Sequence, residues 1–255
     1  MEITFLGTGP SLGIPIIGCN CPVCTSDDSK DKRLRSSILV QYKNKSILID
    51  AGPDFRYQMI REKIKSLDAI LLTHEHKDHI AGLDDIRSFN YLQRKPMDIY
   101  GDGRVLDIIQ KSYSYVFAED KYPGIPQMSL FPIDNGIFSI NDIDIIPVKV
   151  LHYKLPVFGY RIGDFTYISD ASYISEKEKE KIKGSKVLII NALRKDKHIS
   201  HFCLEESLAI IKEINPPKAY LTHMGHLIGR HSELEIELPE NVFPSYDGLK
   251  LSISI

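Results

Sequence analysis

Residues 69–85 read AILLTHEHKDHIAGLDD. An apolar run of strand type ends at Thr73, and His74, His76, Asp78 and His79 follow within six residues. A strand end is where side chains can converge outside a sheet, and imidazole with carboxylate suits zinc, manganese or iron. Along a strand, alternation would send His74, His76 and Asp78 to one face and His79 to the other. A loop is therefore the expected setting, one in which two adjacent metal ions share the set, with IAGL turning into a helix. Four side chains of ligand type at this density outweigh the reading of these histidines as ordinary surface or core residues.

Working outward, three more candidates follow apolar runs: His152 after IPVKV, Asp170 after FTYI and His223 after KAYL. One sheet edge would gather them all. Short β-branched runs such as EITFL, SSILVQY, SILID, IDIIPVKV, KVLIINA and KAYLTH alternate with helical patterns, which predicts an α/β fold. Helices are expected over 54–63, 104–117, 175–183 and 204–213, the last ended by the NPP that starts at Asn215. The stretch 84–126 is polar, Tyr-rich and the least legible, with YPGIP at 122–126 reading as a loop. No repeat, low-complexity linker or break in composition interrupts the 255 residues, so one domain spanning 1–255 is expected.

The net charge of -2 provides no strong basic field for gripping nucleic acid. No apolar run approaches a membrane span, and Met1 runs directly into EITFLGTG without a signal-like segment, so a cytoplasmic location is expected. In that compartment thiols stay reduced, and a dense cysteine cluster holds metal more often than it forms disulfides. GCNCPVC at 18–24 places Cys19, Cys21 and Cys24 in such a cluster, one ligand short of a tetrahedral site. The fourth ligand is either Cys203 or a histidine outside the main constellation: His198, His226 or His231.

HEHKDH, the later His152, Asp170 and His223, and ILIDAG around Asp50 resemble the motif series of the metallo-β-lactamase fold superfamily over nearly the whole chain. The resemblance implies an αββα four-layer sandwich, two mixed β-sheets flanked by helices, with a dinuclear site at their upper edge. It implies that His74, His76 and His152 hold one ion, that Asp78, His79 and His223 hold the other, and that Asp170 bridges them. The ions would be zinc or manganese, or iron. Asp50 would orient the ligand loop from behind, although a plain turn role suits it equally. Two ions about 3.5 to 4 Å apart generate a hydroxide nucleophile, which Asp78 would direct.

GTGPSLGIPIIGCNCPVC, LPVFGYRI, YISDA, HFCLEESLAI and THMGH narrow the resemblance to the phosphodiesterase branch of PhnP-like enzymes. That branch implies His201 facing the substrate phosphate as general acid or charge stabiliser. It also singles out His226 as partner of Cys19, Cys21 and Cys24 in a closed structural zinc site, leaving Cys203 as a small buried hydrophobe in a helix. His198 and His231 are then expected at the surface. GTGPSLG at 7–13 is neither a dinucleotide fingerprint nor a P-loop, and reads as a tight turn beneath the metal site. Arg87 reads equally as a phosphate contact or a surface ion pair.

The function expected is hydrolysis of a small cyclic or nucleotide-like phosphodiester, by a chain that would form a homodimer with 84–126 as contact or substrate lid. The alternatives are processing of tRNA 3′ ends, for which the chain lacks an obvious basic insertion, and a non-hydrolytic accessory role resembling pyrroloquinoline-quinone biosynthesis proteins. A redox diiron protein is disfavoured, because those relatives place glutamate where this chain has His76.

Overall fold

The computed structural model describes residues 1–120 and 122–253. The first sheet is built from β1 (Glu2–Gly7), β2 (Ser37–Tyr42), β3 (Lys45–Ile49), β4 (Ala69–Leu71), β5 (Met97–Asp102) and β6 (Met128–Ile133). The second takes β7 (Phe138–Ile140), β8 (Ile143–His152), β9 (Leu155–Ile162), β10 (Phe165–Ile168), β11 (Tyr173–Ile174), β12 (Val187–Asn191), β13 (Lys218–Thr222) and β14 (Val242–Pro244). The chain then returns to the first sheet as β15 (Lys250–Ser252), antiparallel to β1. Strand order is β15-β1-β2-β3-β4-β5-β6 in one sheet and β11-β8-β9-β10-β12-β13-β14 in the other, with β7 beside β8. Both sheets are mixed: β3 to β6 run parallel, as do β10, β12, β13 and β14, and the rest pair antiparallel.

Alternation along the strands sets the layers. Ile38, Val40, Ile47 and Ile49 share one buried cluster with Phe158, Tyr160, Phe165, Tyr167 and Ile189, which is the seam between the sheets. Their neighbours Leu39 and Leu48, with Ile70 and Ile99, face the other way. They pack on Phe55 and Met59 of α1 (Phe55–Arg61), and the one-turn α2 (Lys77–Ile80) adds Ile80. Phe89 of α3 (Arg87–Gln93) and Val105 and Ile109 of α4 (Gly103–Ser112) complete that layer, with Val116 of α5 (Ser114–Phe117). On the far side, Val148, Val150, Leu188, Ile190 and Leu221 meet Ile182 of α6 (Glu176–Ile182), Ile210, Ile211 and Ile214 of α7 (Leu204–Ile214) and Leu234 of α8 (His231–Glu237). Helix, sheet, sheet, helix is the αββα order. Strands covered on both faces read as continuous apolar runs, which is why AILL and KVLII are so uniform.

One expectation needs correcting. The helix expected over 104–117 breaks at Tyr113, whose buried ring turns inward so that its hydroxyl donates to the Ile80 carbonyl at 2.8 Å. The stretch expected to be the least legible is regular structure over 87–93, 97–112 and 114–117, where Phe89, Met97, Val105 and Val116 are core residues. Among the described residues, no helix is long and apolar enough to cross a membrane.

Candidate active site

The C-terminal ends of parallel strands from both sheets meet at one edge, the usual place for a ligand crevice in α/β sheets. Asp50 follows β3, Thr73 and His74 follow β4, Asp170 follows β10 and His223 follows β13. Asp50, Asp170 and His223 have φ of 64°, 55° and 53°. A non-glycine residue in that left-handed region costs about 1 to 3 kcal/mol, so the surrounding fold imposes the turn that throws each side chain over the edge. Behind them, Gly52 lets the HEHKDH loop pack close: a Cβ there would stand 2.0 Å from the Asp78 carbonyl oxygen. The Ala51 amide donates to the His79 carbonyl at 2.8 Å, locking ILIDAG to that loop.

All seven residues expected at the centre converge. Donor atoms of His74, His76 and His152 lie within 4.8 Å of one another, as do those of Asp78, His79, Asp170 and His223. His152, Asp170 and His201 form a third such group, so Asp170 belongs to the space between the first two. Its Oδ1 lies 2.9 Å from His201 Nε2 and 3.2 Å from His223 Nε2, and its Oδ2 lies 3.2 Å from His79 Nε2. Contrary to the strand-loop expectation, the helix begins inside the motif at Lys77, with His76 as its N-cap, and IAGL closes it.

The hydrogen bonds behind the histidines decide which nitrogen each presents. Thr73 Oγ1 donates to Asp50 Oδ2 at 2.8 Å, so it accepts from His74 Nδ1 at 3.0 Å, and the His74 Nε2 left without a proton faces His76 Nδ1 at 3.0 Å. His79 Nδ1 donates to Asp50 Oδ2 at 2.6 Å, and His152 Nδ1 donates to the Ser200 carbonyl at 2.6 Å. Asp50 therefore acts as the supporting carboxylate, with the Thr73 amide also on its Oδ1 at 2.8 Å. Buried His79 Nε2 and His223 Nδ1 have no hydrogen-bond partner, although His79 Nε2 is 3.2 Å from both Asp78 and Asp170. A cation placed among Asp78, His79, Asp170 and His223 would satisfy His79 Nε2, whereas His223 turns Nε2 toward Asp170.

Protonation agrees. Burial lowers His74 well below the ordinary imidazole range, lowers His152, and brings His223 to about 4, leaving neutral donors. Burial would raise Asp78 and Asp170, but His79 beside Asp78, and His223 with His79 beside Asp170, hold both carboxyls below the usual range. His79 is the exception: burial opposes its charge, yet Asp50, Asp170 and Asp78 raise it well above the ordinary value. Neutral imidazoles, ionised carboxylates and a buried demand for positive charge match what divalent-metal binding requires.

Several participants were invisible in the sequence. Arg104 pairs with Glu75 and donates through Nη2 to the Pro156 carbonyl at 2.8 Å. Asn191 brackets the Asp170 turn through both backbone groups of Ala171, at 2.8 and 3.0 Å. His198, expected at the surface, stands at the rim with Nδ1 3.2 Å from His201 Nδ1. His231, also expected at the surface, is buried: its amide donates to Asp31 at 2.7 Å and its ring meets Arg33 and Glu235. Arg87 is taken by Asp84 at 2.5 Å and exposed, which is the surface-pair reading. GTGPSLG does form a tight turn, with the Gly13 amide donating to the Pro10 carbonyl; the Thr8 carbonyl accepts from the Met224 amide next to His223, and Pro10, Ser11 and Leu12 wall a cavity that His201 and His223 also line. Its glycines serve packing, since a Cβ on Gly7 would meet the Arg35 carbonyl oxygen at 1.9 Å.

The cysteine cluster also closes. His226 Nδ1 lies 3.3, 3.4 and 3.7 Å from the sulfurs of Cys19, Cys21 and Cys24. A tetrahedral zinc with Zn–S near 2.3 Å and Zn–N near 2.0 to 2.1 Å separates N and S by about 3.5 Å. The Cys24 amide on its sulfur brings Cys21 down to about 6, whereas burial pushes Cys24 up to about 11. Cys203 is buried far along the chain at the N-cap of α7, one position before the helix in which it was expected.

A family model described as the Beta-lactamase superfamily domain matches residues 45–224. The octanoyltransferase of Porphyromonas gingivalis is 40% identical over 257 residues, covering 99% of this chain and 52% of that protein. Ribonuclease Z of Staphylococcus epidermidis is 30% identical over 169 residues, 64% of this chain and 49% of that one. The chain spans about half the length of these curated relatives. The crystal structure of a new diphosphatase from the PhnP family matches with a TM-score of 0.93 and 35% identity, covering 100% of this chain and 98% of that one. With two sheets closing over a histidine and aspartate centre and the family model spanning most of its length, the chain belongs to the β-lactamase superfamily and has the metallo-β-lactamase fold.

Proposed function

We propose that this chain hydrolyses a P–O bond of a small phosphodiester. In this reading one divalent ion is held by His74, His76 and His152, a second by Asp78, His79 and His223, and Asp170 is shared. The observation that carries it is the position of Asp170, which belongs to the second donor group, clusters with His152 of the first and faces His201 at 2.9 Å. Such a pair of ions supplies a hydroxide at neutral pH and offsets charge on the attacked group. Asp78 accepts the hydrogen bond that aims the nucleophile, and His201 delivers a proton to the departing oxygen. An oxygen donor at the shared position, where a softer thiolate would suit other chemistry, favours phosphoryl oxygens. Similarity to the PhnP-family diphosphatase supports P–O cleavage. Cys19, Cys21, Cys24 and His226 are proposed to hold a structural zinc.

The test is turnover on bis-p-nitrophenyl phosphate, 2′,3′-cyclic nucleotides and a dinucleoside diphosphate, against octanoyl thioester and precursor tRNA. Activity on the diesters with none on the thioester supports the reading. Thioester cleavage alone would replace it with acyl hydrolysis, a reaction on the same acyl group that the name of the octanoyltransferase relative carries. Cleavage of precursor tRNA alone would favour the ribonuclease Z likeness. His201→Ala is expected to lower kcat about 10² to 10⁴-fold on a diester with an alkoxide leaving group. The same variant should lose less than about tenfold on bis-p-nitrophenyl phosphate, whose phenolate leaves without needing a proton.

Arg104 ties the loop of His74 and His76 to the hairpin of His152, since Pro156 pairs with Leu151 immediately before that histidine. Arg104→Met is expected to weaken the ion of the three-histidine group about tenfold or more and to leave the other unchanged. Chelator competition monitored by metal analysis reads the two affinities, and equal weakening of both would reduce Arg104 to a general structural role.

A further inference from the structure

Beside the centre lies a cavity of about 270 Å³ that hydrolysis as such does not require. His201 and His223 form its inner wall, and Leu12, Ile16, Leu193 and Leu227 supply its sides. Arg194 is the one permanently charged side chain in its lining, and its Nε and Nη2 already donate to the carbonyls of Asp196 and Lys197. No anion cradle is built there. The mouth is unusually apolar for a surface: Leu12 is 62% and Leu227 54% exposed. Single exposed apolar residues are ordinary, but their gathering around one opening marks a binding surface.

His201 relates the cavity to the reaction. It contacts Asp170 on one side and lines the cavity on the other. The group that receives its proton, the leaving oxygen, therefore departs toward the cavity. We infer that the cavity takes an apolar leaving group, so that the substrates of this chain are phosphodiesters carrying an aryl or medium-chain alkyl group on the departing oxygen. The inference rests on the phosphodiester reading above. In balanced form, water and the diester give a phosphomonoester and an apolar alcohol or phenol: the P–O bond to that group breaks, and its electron pair stays on the leaving oxygen. A volume of about 270 Å³ is at the small end of ligand sites, right for one ring or a medium-length chain. Leu227 directly follows His226, so the cysteine and histidine cluster holds this wall in place.

The test begins with equilibrium binding, which needs no turnover. Phenylphosphonate, hexylphosphonate and methylphosphonate are titrated calorimetrically into the metal-loaded protein and into Leu12→Ser and Leu227→Ser. Phenyl or hexyl should bind at least tenfold more tightly than methyl, the stronger of the two identifying the aromatic or the alkyl class, and the advantage should shrink in both variants. Equal affinity for all three in the parent protein overturns the inference, as does an advantage that survives both substitutions. Kinetically, Leu227→Ser should raise KM for bis-p-nitrophenyl phosphate several-fold with kcat nearly unchanged, because the ring contact is the same in ground and transition states. If no diester is turned over but the apolar phosphonates still bind preferentially, the cavity stands and the phosphodiester reading falls.

Discussion

Asp170→Asn is expected to reduce kcat on any diester by about 10³-fold or more, a loss of roughly 4 kcal/mol in transition-state stabilisation, while the far-UV spectrum stays that of the parent. The carboxylate is 2% exposed, and its two oxygens face His201, His223 and His79, with the Ser169 hydroxyl donating to Oδ2 at 2.5 Å. Asparagine keeps the shape but removes the charge and replaces one acceptor with a donor. His79 then loses one of the three carboxylates that hold it in a charge-demanding site. On the proposed two-ion reading, metal content after dialysis should fall from two ions at this centre toward one or none. Normal turnover with two ions retained would remove Asp170 from the shared position. A glutamate at the same site would not rescue, because the φ of 55° and the contacts of Asp170 leave the longer side chain no room to keep both oxygens between the donor groups.

How much of this could be read in advance depends on distance along the chain. HEHKDH was legible because four donors sit within six residues, and His152, Asp170 and His223 because each ends an apolar run. The layer order came only through the resemblance to the metallo-β-lactamase fold superfamily, and the structure shows the alternation that builds it, with Ile38 and Val40 facing the seam and Leu39 the helices. What stayed hidden joins residues remote in sequence through groups without a pattern. The carbonyl that orients His152 belongs to Ser200, and the partners of His231 are Asp31 and Arg33. RKDKHISH at 194–201 has no periodicity to place it, so His198 looked like a surface residue although it lies beside His201. Arg104 looked like an ordinary first-turn helix residue, because its partners Glu75 and Pro156 come from two other segments brought together only by the sandwich.

The same logic makes the cysteine loop testable as a clamp. Cys21→Ser should abolish zinc at the cysteine site and lower the melting temperature by about 10 °C, as expected if several kcal/mol is lost and each kcal/mol shifts a domain of this size by roughly 2 to 4 °C. Serine keeps the size of cysteine but lacks its thiolate, so Cys19, Cys24 and His226 remain as an incomplete set. The consequence for the proposed dinuclear centre is graded. His226 is three residues beyond His223, and the intervening Met224 and Gly225 amides donate to Thr8 and Leu193 at 2.9 and 2.8 Å. Those two bonds hold the loop without zinc, so the affinity of the ion at His223 should fall about tenfold, within the range typical of lost supporting contacts, and not collapse. His226→Gln should reproduce both effects, since it removes the same ligand from the other end of the clamp. Metal analysis, thermal melts and chelator competition on the two variants separate the outcomes. Loss of zinc with unchanged affinity at the dinuclear centre would mean that the cluster stabilises the N-terminal loop alone and leaves His223 to its backbone bonds.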